Sequence, residues 1–272
     1  STNPFGIIFN PVSIEKIISK SLNLEFYTEK DIFFHNERWH CFDVHSDLSN
    51  TNKEELLNDS NQLLQSTNQK LREATHIIIT YGTSWVYRNL ETNQVVANCH
   101  KVPQAAFSKE ILSAETIEKS IQNTIDLIEK VNPKANFIFT VSPVRHLKDG
   151  FVENQLSKAH LITAIQQTIN NKQQTTNYFP SYEIMMDELR DYRFYNEDML
   201  HPSQVAIDYI WERFSETTIS SDSHSIMEEV CSIQKGLQHR SFNPKSESHQ
   251  QFLSKLQDKM MKLQKRFPQI QF

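Results

Sequence analysis

The sequence predicts a three-layer α/β/α sandwich on a mostly parallel sheet, followed by a C-terminal helical extension. Two observations carry this reading. The runs 75–81 (Thr75-His76-Ile77-Ile78-Ile79-Thr80-Tyr81) and 135–141 are short, continuous and rich in apolar, β-branched and aromatic residues, as strands buried in a parallel sheet are. Around them lie stretches whose apolar residues recur at helical spacing, and strand alternating with helix implies crossover connections and a layered α/β domain.

Taken in order, the opening Asn3-Pro4-Phe5-Gly6-Ile7-Ile8-Phe9-Asn10-Pro11 has too much proline for a regular element and too many apolar residues for a solvated tail. It reads as a buried loop leading into a helix over about 13–22. Residues 31–44, with Ile32-Phe33-Phe34, Trp39, Phe42 and Val44, read as short aromatic strands. Leu56, Leu57, Leu63, Leu64 and Leu71 mark a helix over 51–73. After the first buried strand, 85–103 reads as a hairpin excursion turning near Thr92-Asn93. Ser113 caps a helix that runs to about Val131, with Ile117, Ile121, Ile125 and Ile128 on one face. Beyond the second strand come a helix over 154–170, a third strand at 177–179, a short helix over 182–189 and a helix over 203–214. Ser220-Ser221-Asp222-Ser223 then makes a polar break, dividing an α/β domain, 1–217, from a helical hairpin, 218–272. Its last helix carries a narrow apolar stripe, Phe252, Leu256, Met260 and Leu263, suited to packing on the domain or on a second copy in a homo-oligomer.

With 38% apolar and 22% charged residues in 272, the chain has the balance of a folded globular protein. A net charge of −5 gives no electrostatic footprint for nucleic acid or an anionic membrane, and no apolar run approaches a membrane span. Cys41, Cys99 and Cys231 are odd in number and widely spaced, which suits neither a disulfide framework nor a zinc knuckle and points to a reducing cytoplasm. Ser1 is an unusual start and the next residues read as the middle of a motif, so a segment is expected upstream. Of only four glycines, Gly6 and Gly82 fall in segments singled out below.

Ligand sites in open α/β sheets lie beyond the carboxyl ends of the strands, where 82–85, 142–146 and 198–201 all fall. Asp198 and His201 are three residues apart, with Pro202 keeping His201 on the loop and opening the next helix. Such a turn lets the carboxylate accept a hydrogen bond from one imidazole nitrogen and leaves the other to take a proton from a hydroxyl nucleophile. The same spacing also suits an aspartate that caps a helix beside a structural histidine. His146, after Arg145 at a strand end, fits a polar substrate pocket and a structural role equally well. In Asn98-Cys99-His100-Lys101, neighbouring strand side chains point to opposite faces, so Cys99 and His100 make a poor dyad while Asn98 and His100 share a face. Asp43-Val44-His45-Ser46 reads as a strand closure rather than a triad. His100, His146 and His201 lack an ordered set of acidic companions, so no metal and no cofactor is expected.

Five ordered segments together resemble the GSCFA family of bacterial proteins: Asn3 to Pro11, Gly82-Thr83-Ser84-Trp85-Val86-Tyr87, Asn98 to Pro103, Ser142-Pro143-Val144-Arg145-His146 and Glu197 to Ser203. The resemblance covers roughly residues 3–215 and implies a place with the SGNH/GDSL-like hydrolases, which share the three-layer sandwich. It implies that Asp198 and His201 form the Asp-x-x-His block, that the Gly6 backbone N–H helps form the oxyanion hole, and that Gly82 is the glycine of the third block. Ser84 stands where that block has its oxyanion asparagine, so either the Ser84 hydroxyl or the Asn98 amide is the expected substitute. The Gly-Ser-Cys-Phe-Ala motif that should carry the nucleophilic serine is absent from these residues. The expected function is therefore that of a serine esterase or acyltransferase on small-molecule or carbohydrate acyl esters, with this chain inactive as given. The alternative is a non-catalytic binding or assembly module on the same fold.

Overall fold

The computed structural model describes residues 2–171 and 175–272. The chain divides into two compact units, Ser1–Ile210 and Trp211–Phe272.

In the first unit, α1 (Pro11–Asn23) starts where the Asn10 side chain accepts the Ser13 N–H at 2.9 Å, and stops at Leu24 in the left-handed region. An antiparallel hairpin follows, β1 (Ile32–His35) with β2 (Arg38–Cys41), then α2 (Lys53–Glu73) and β3 (His76–Tyr81). β4 (Trp85–Asn89), β5 (Val95–Val96) and β6 (Phe107–Ile111) form a second antiparallel sheet in the order β5-β4-β6. The hairpin excursion is thus extended by a third strand, β6, that its polar Ser108-Lys109-Glu110 centre hid. α3 (Ala114–Glu129), β7 (Asn136–Val141), α4 (Phe151–Asn171), β8 (Thr176–Phe179), α5 (Ser181–Asp187) and α6 (Gln204–Thr218) complete the alternation.

The central sheet is parallel, in the order β3-β7-β8, with Ile77 opposite Phe137 and Phe137 opposite Thr176. β7 is buried on both faces, as its composition predicts. Phe137, Phe139 and Val141 join Ile79 and Tyr81 of β3, the four isoleucines of α3, and Leu161, Ala164 and Ile165 of α4 in the main core. On the opposite face Thr140 bonds Ser181 at the start of α5, Oγ to Oγ 2.7 Å. β3 is the sheet's end strand among the described residues, and Ile78 on its other face is 55% exposed. The α/β/α class expected from the sequence is therefore the observed one.

Two local readings change. The opening loop is less buried than its apolar content suggests: Phe5 is in the core, but Ile7 and Phe9 are exposed. The polar stretch after Thr217 interrupts the helices only at Ile219-Ser220, because α7 (Ser221–Gln238) already runs through Ser221-Asp222-Ser223. In the second unit α7 pairs with α8 (Glu247–Arg266) around Ile233, Leu256 and Leu263. Gly236 lets Leu256 approach the α7 backbone closely, and Arg266 reaches across to Glu229 at 3.0 Å. No helix of the described residues is long and apolar enough to cross a membrane.

Candidate active site

The loop from Asn196 to His201 closes on itself. Asn196 N–H donates to His201 O and Met199 N–H to Asn196 O, with Met199 at φ 57, and Tyr195 bridges Pro202. Pro202 therefore belongs to this bridge, and α6 opens two residues later than the proline alone suggests. Asp198 Oδ1 accepts the backbone N–H groups of Leu200 (2.9 Å) and His201 (3.0 Å), while Oδ2 lies 2.6 Å from His201 Nδ1. The backbone N–H of His201, that of Leu200 and the imidazole together hold the Asp198 carboxyl down to about 2, so it is ionised at neutral pH. An ionised carboxylate only accepts, so Nδ1 carries the proton and Nε2 is left as the basic nitrogen. His201 is half exposed, so Nε2 is open to a partner.

The strand-end segments meet here. Arg145 N–H donates to Leu200 O at 3.1 Å, joining the turn after β7 to the Asp198 loop. The Arg145 guanidinium lies 3.9 Å from the centroid of the Tyr195 ring, whose residue makes the bridge to Pro202. Phe9 packs edge-on against His146 at 6.0 Å, and its carbonyl accepts the N–H groups of Gly82 (2.8 Å) and Thr83 (3.2 Å). Burial pulls His146 down to about 4, aided by the nearby charges of Lys158 and His201 and opposed by Asp149, so its imidazole is neutral.

The first turns of α4 bind these segments, a role the sequence reading missed. Asn154 Oδ1 accepts the His146 N–H (2.9 Å), and Ser157 Oγ accepts the Ser84 N–H (2.8 Å) and bonds Thr83 Oγ1 (3.0 Å). Lys158 Nζ donates to Gly82 O (2.6 Å) and Ser142 O (2.8 Å). The available signal was that Asn154, Ser157, Lys158 and Leu161 share one helical face, and that polar face is the buried one.

The other expected residues are placed as follows. Gly6 sits at φ 75 against the His45 side chain, and its N–H is given to Asn3 O at 2.9 Å. The Gly82 N–H is given to Phe9 O, and the fully buried Ser84 hydroxyl to Ser157 O at 3.2 Å. Two of the expected oxyanion donors, the Gly6 N–H and the Ser84 hydroxyl, are thus spent in this conformation. His100 lies not on a strand but in a turn with His100 and Lys101 both at positive φ. Its Nδ1 pairs with Ser46 Oγ (3.1 Å) and its Nε2 with Cys41 O (2.7 Å). Asn98 Oδ1 accepts the His100 N–H at 2.8 Å, and among the described residues the Asn98 amide NH2 is given to no acceptor. No hydrogen bond or ring contact links Gly6, Asn98 or His100 to Asp198 or His201 among the described residues. Among the same residues no group of three or more His, Cys, Asp or Glu is arranged to hold a metal ion.

Fold and site define an α/β protein with an Asp–His pair at the carboxyl end of a parallel sheet. A family model described as the GSCFA family matches residues 1–214, and one described as the GSCFA domain protein, C-terminal domain, matches residues 230–272. The chain belongs to the GSCFA family. No curated protein and no solved structure matches it.

Proposed function

We propose that this chain carries the acid–base half of an SGNH-type serine esterase or acyltransferase acting on acyl esters, carbohydrate O-acetyl groups among them. The observation that carries the reading is the 2.6 Å contact between Asp198 Oδ2 and His201 Nδ1, which leaves Nε2 basic and exposed. His201 takes the proton of a serine hydroxyl as its oxygen attacks the ester carbonyl, and Asp198 stabilises the imidazolium. The imidazolium then returns the proton to the leaving alkoxide. In the second half His201 takes the proton of water or an acceptor alcohol as it attacks the acyl-serine, and gives it back to the serine oxygen as that ester bond breaks. The free NH2 of Asn98 is the amide proposed to face the oxyanion.

The serine is proposed to come from outside these residues. Among the described residues no strand pairs with the outer edge of β3, and a parallel strand laid along it would run toward the end of the sheet where Asp198 and His201 lie. The exposed apolar strip of Phe151, Val152 and Leu156 on α4 offers a surface for an acyl chain. A second reading, a binding or assembly module, is favoured by the spent N–H groups of Gly6 and Gly82 and the spent hydroxyl of Ser84.

The test is hydrolysis of aryl acetates by the chain supplied with a segment that carries a Gly-Ser-Cys-Phe-Ala serine, with and without His201→Ala. Loss of about 1,000-fold or more with the variant supports the enzyme. Equal rates in both, with no serine labelled by a fluorophosphonate, support the module.

A further inference from the structure

The acid–base chemistry leaves one group near the site unused, the ammonium of Lys158. It is 1% exposed, and among the described residues no carboxylate pairs with it. A buried ammonium requires acceptors for its protons. Here they are two backbone carbonyls, Gly82 O at 2.6 Å and Ser142 O at 2.8 Å, each one residue past the end of its strand. Its third side faces the Tyr182 ring, 5.4 Å from the centroid. Burial pulls this lysine down to about 7, while the two carbonyls favour its charged form. An apolar side chain would pack in such a place at a lower cost in desolvation. The charge is therefore better explained by what it holds than by stability.

We infer that Lys158 is a positioning residue: its ammonium ties the Gly82 and Ser142 turns into one floor, and its charge acts on His146, whose backbone N–H is held by Asn154 one turn earlier on the same helix. The groups whose charges act on His146 are Lys158, Asp149 and His201. With Lys158 charged, His146 stays neutral, and His201 alone is left to take the serine proton. That last step rests on the Asp198–His201 reading above, whereas the floor and the field do not.

The test is NMR titration of the His146 and His201 ring protons in the full chain, with amide shifts at Gly82–Ser84 and Ser142–His146. In Lys158→Met, the His146 midpoint is expected to rise by about half a pH unit or more, and the amides of both turns to move together. Ser157→Ala, which loosens the Ser84 turn but keeps the charge, is expected to leave the His146 midpoint in place. A folded Lys158→Met with an unchanged His146 midpoint and unmoved turn amides overturns the inference, whatever the esterase assay gives. If Lys158→Met does not fold, Lys158→Arg decides. A retained low midpoint supports the role of the charge, and a return of His146 to its ordinary value overturns it.

Discussion

Gly6→Ala separates a glycine demanded by packing from one kept for its backbone N–H. Gly6 sits at φ 75, where an L side chain costs about 1–2 kcal/mol. An added Cβ would lie 2.2 Å from His45 Cβ. Carbon atoms prefer about 3.5 Å or more, so one partner must retreat by roughly 1.3 Å. His45 is held by its N–H on Phe5 O at 3.0 Å, and losing that bond adds about 1 kcal/mol. The expected loss is about 2–4 kcal/mol, or roughly 5–15 °C in Tm for a unit of this size. Urea unfolding followed by circular dichroism, with a thermal melt, reads both values. Gly82→Ala is the comparison: its Cβ meets Phe9 alone, the ring at 3.0 Å, Cβ at 3.3 Å and the carbonyl oxygen at 3.4 Å, at an ordinary φ, so about 1 kcal/mol or less is expected. A loss below about 1 kcal/mol for Gly6→Ala would refute the steric argument and return the residue to a role through its N–H.

Three further outcomes are expected. Asp198 ionises near 2 rather than 3.8, so its stabilising contribution is complete above the ordinary value and fades as pH falls toward 2. Wild type and Asp198→Asn should differ in urea midpoint at pH 5 and converge near pH 2, and a constant gap would contradict this. His100 and His146 are both held near 4 instead of 6.5, so the fold keeps them neutral while the unfolded chain takes up protons as pH falls. Stability should therefore drop between pH 6.5 and 4, and His100→Gln with His146→Gln should flatten that slope in urea titrations. Thiol titration with a disulfide reagent should find Cys231 fast and Cys99 slow, with Cys41 reacting only on unfolding, because burial pushes Cys99 to about 11 and Cys41 to about 12.

The layered fold was legible because β3 and β7 are dominated by isoleucine, phenylalanine and other apolar residues and α3 repeats isoleucine at helical spacing. The Asp198 turn was legible because an Asp-x-x-His loop organises itself through its own backbone. Contacts distant in sequence were not. Nothing near Ser84 announces that its hydroxyl and N–H both go to Ser157, 73 positions away. Lys158 lies on a helix whose buried face mixes Asn154, Ser157 and Lys158 with Leu161, so an apolar-stripe reading puts the lysine in water. β6 was missed because its centre is polar and only Phe107 at its start is buried.

The Asp198–His201 loop draws every partner of its carboxylate from within three residues. Its alignment is thus a short-range property, encoded by a handful of neighbouring positions and indifferent to most of the core. Such a unit behaves as a cassette. It should keep its tautomer through substitutions that unsettle the sheet, and it could be grafted, with the Tyr195–Pro202 bridge at its base, onto another strand-to-helix crossing. The Gly82 and Ser142 turns lack that autonomy. They are aligned from outside, by a helix that lies 76 positions beyond Gly82 at Lys158, so the fidelity of the whole site is set on their side.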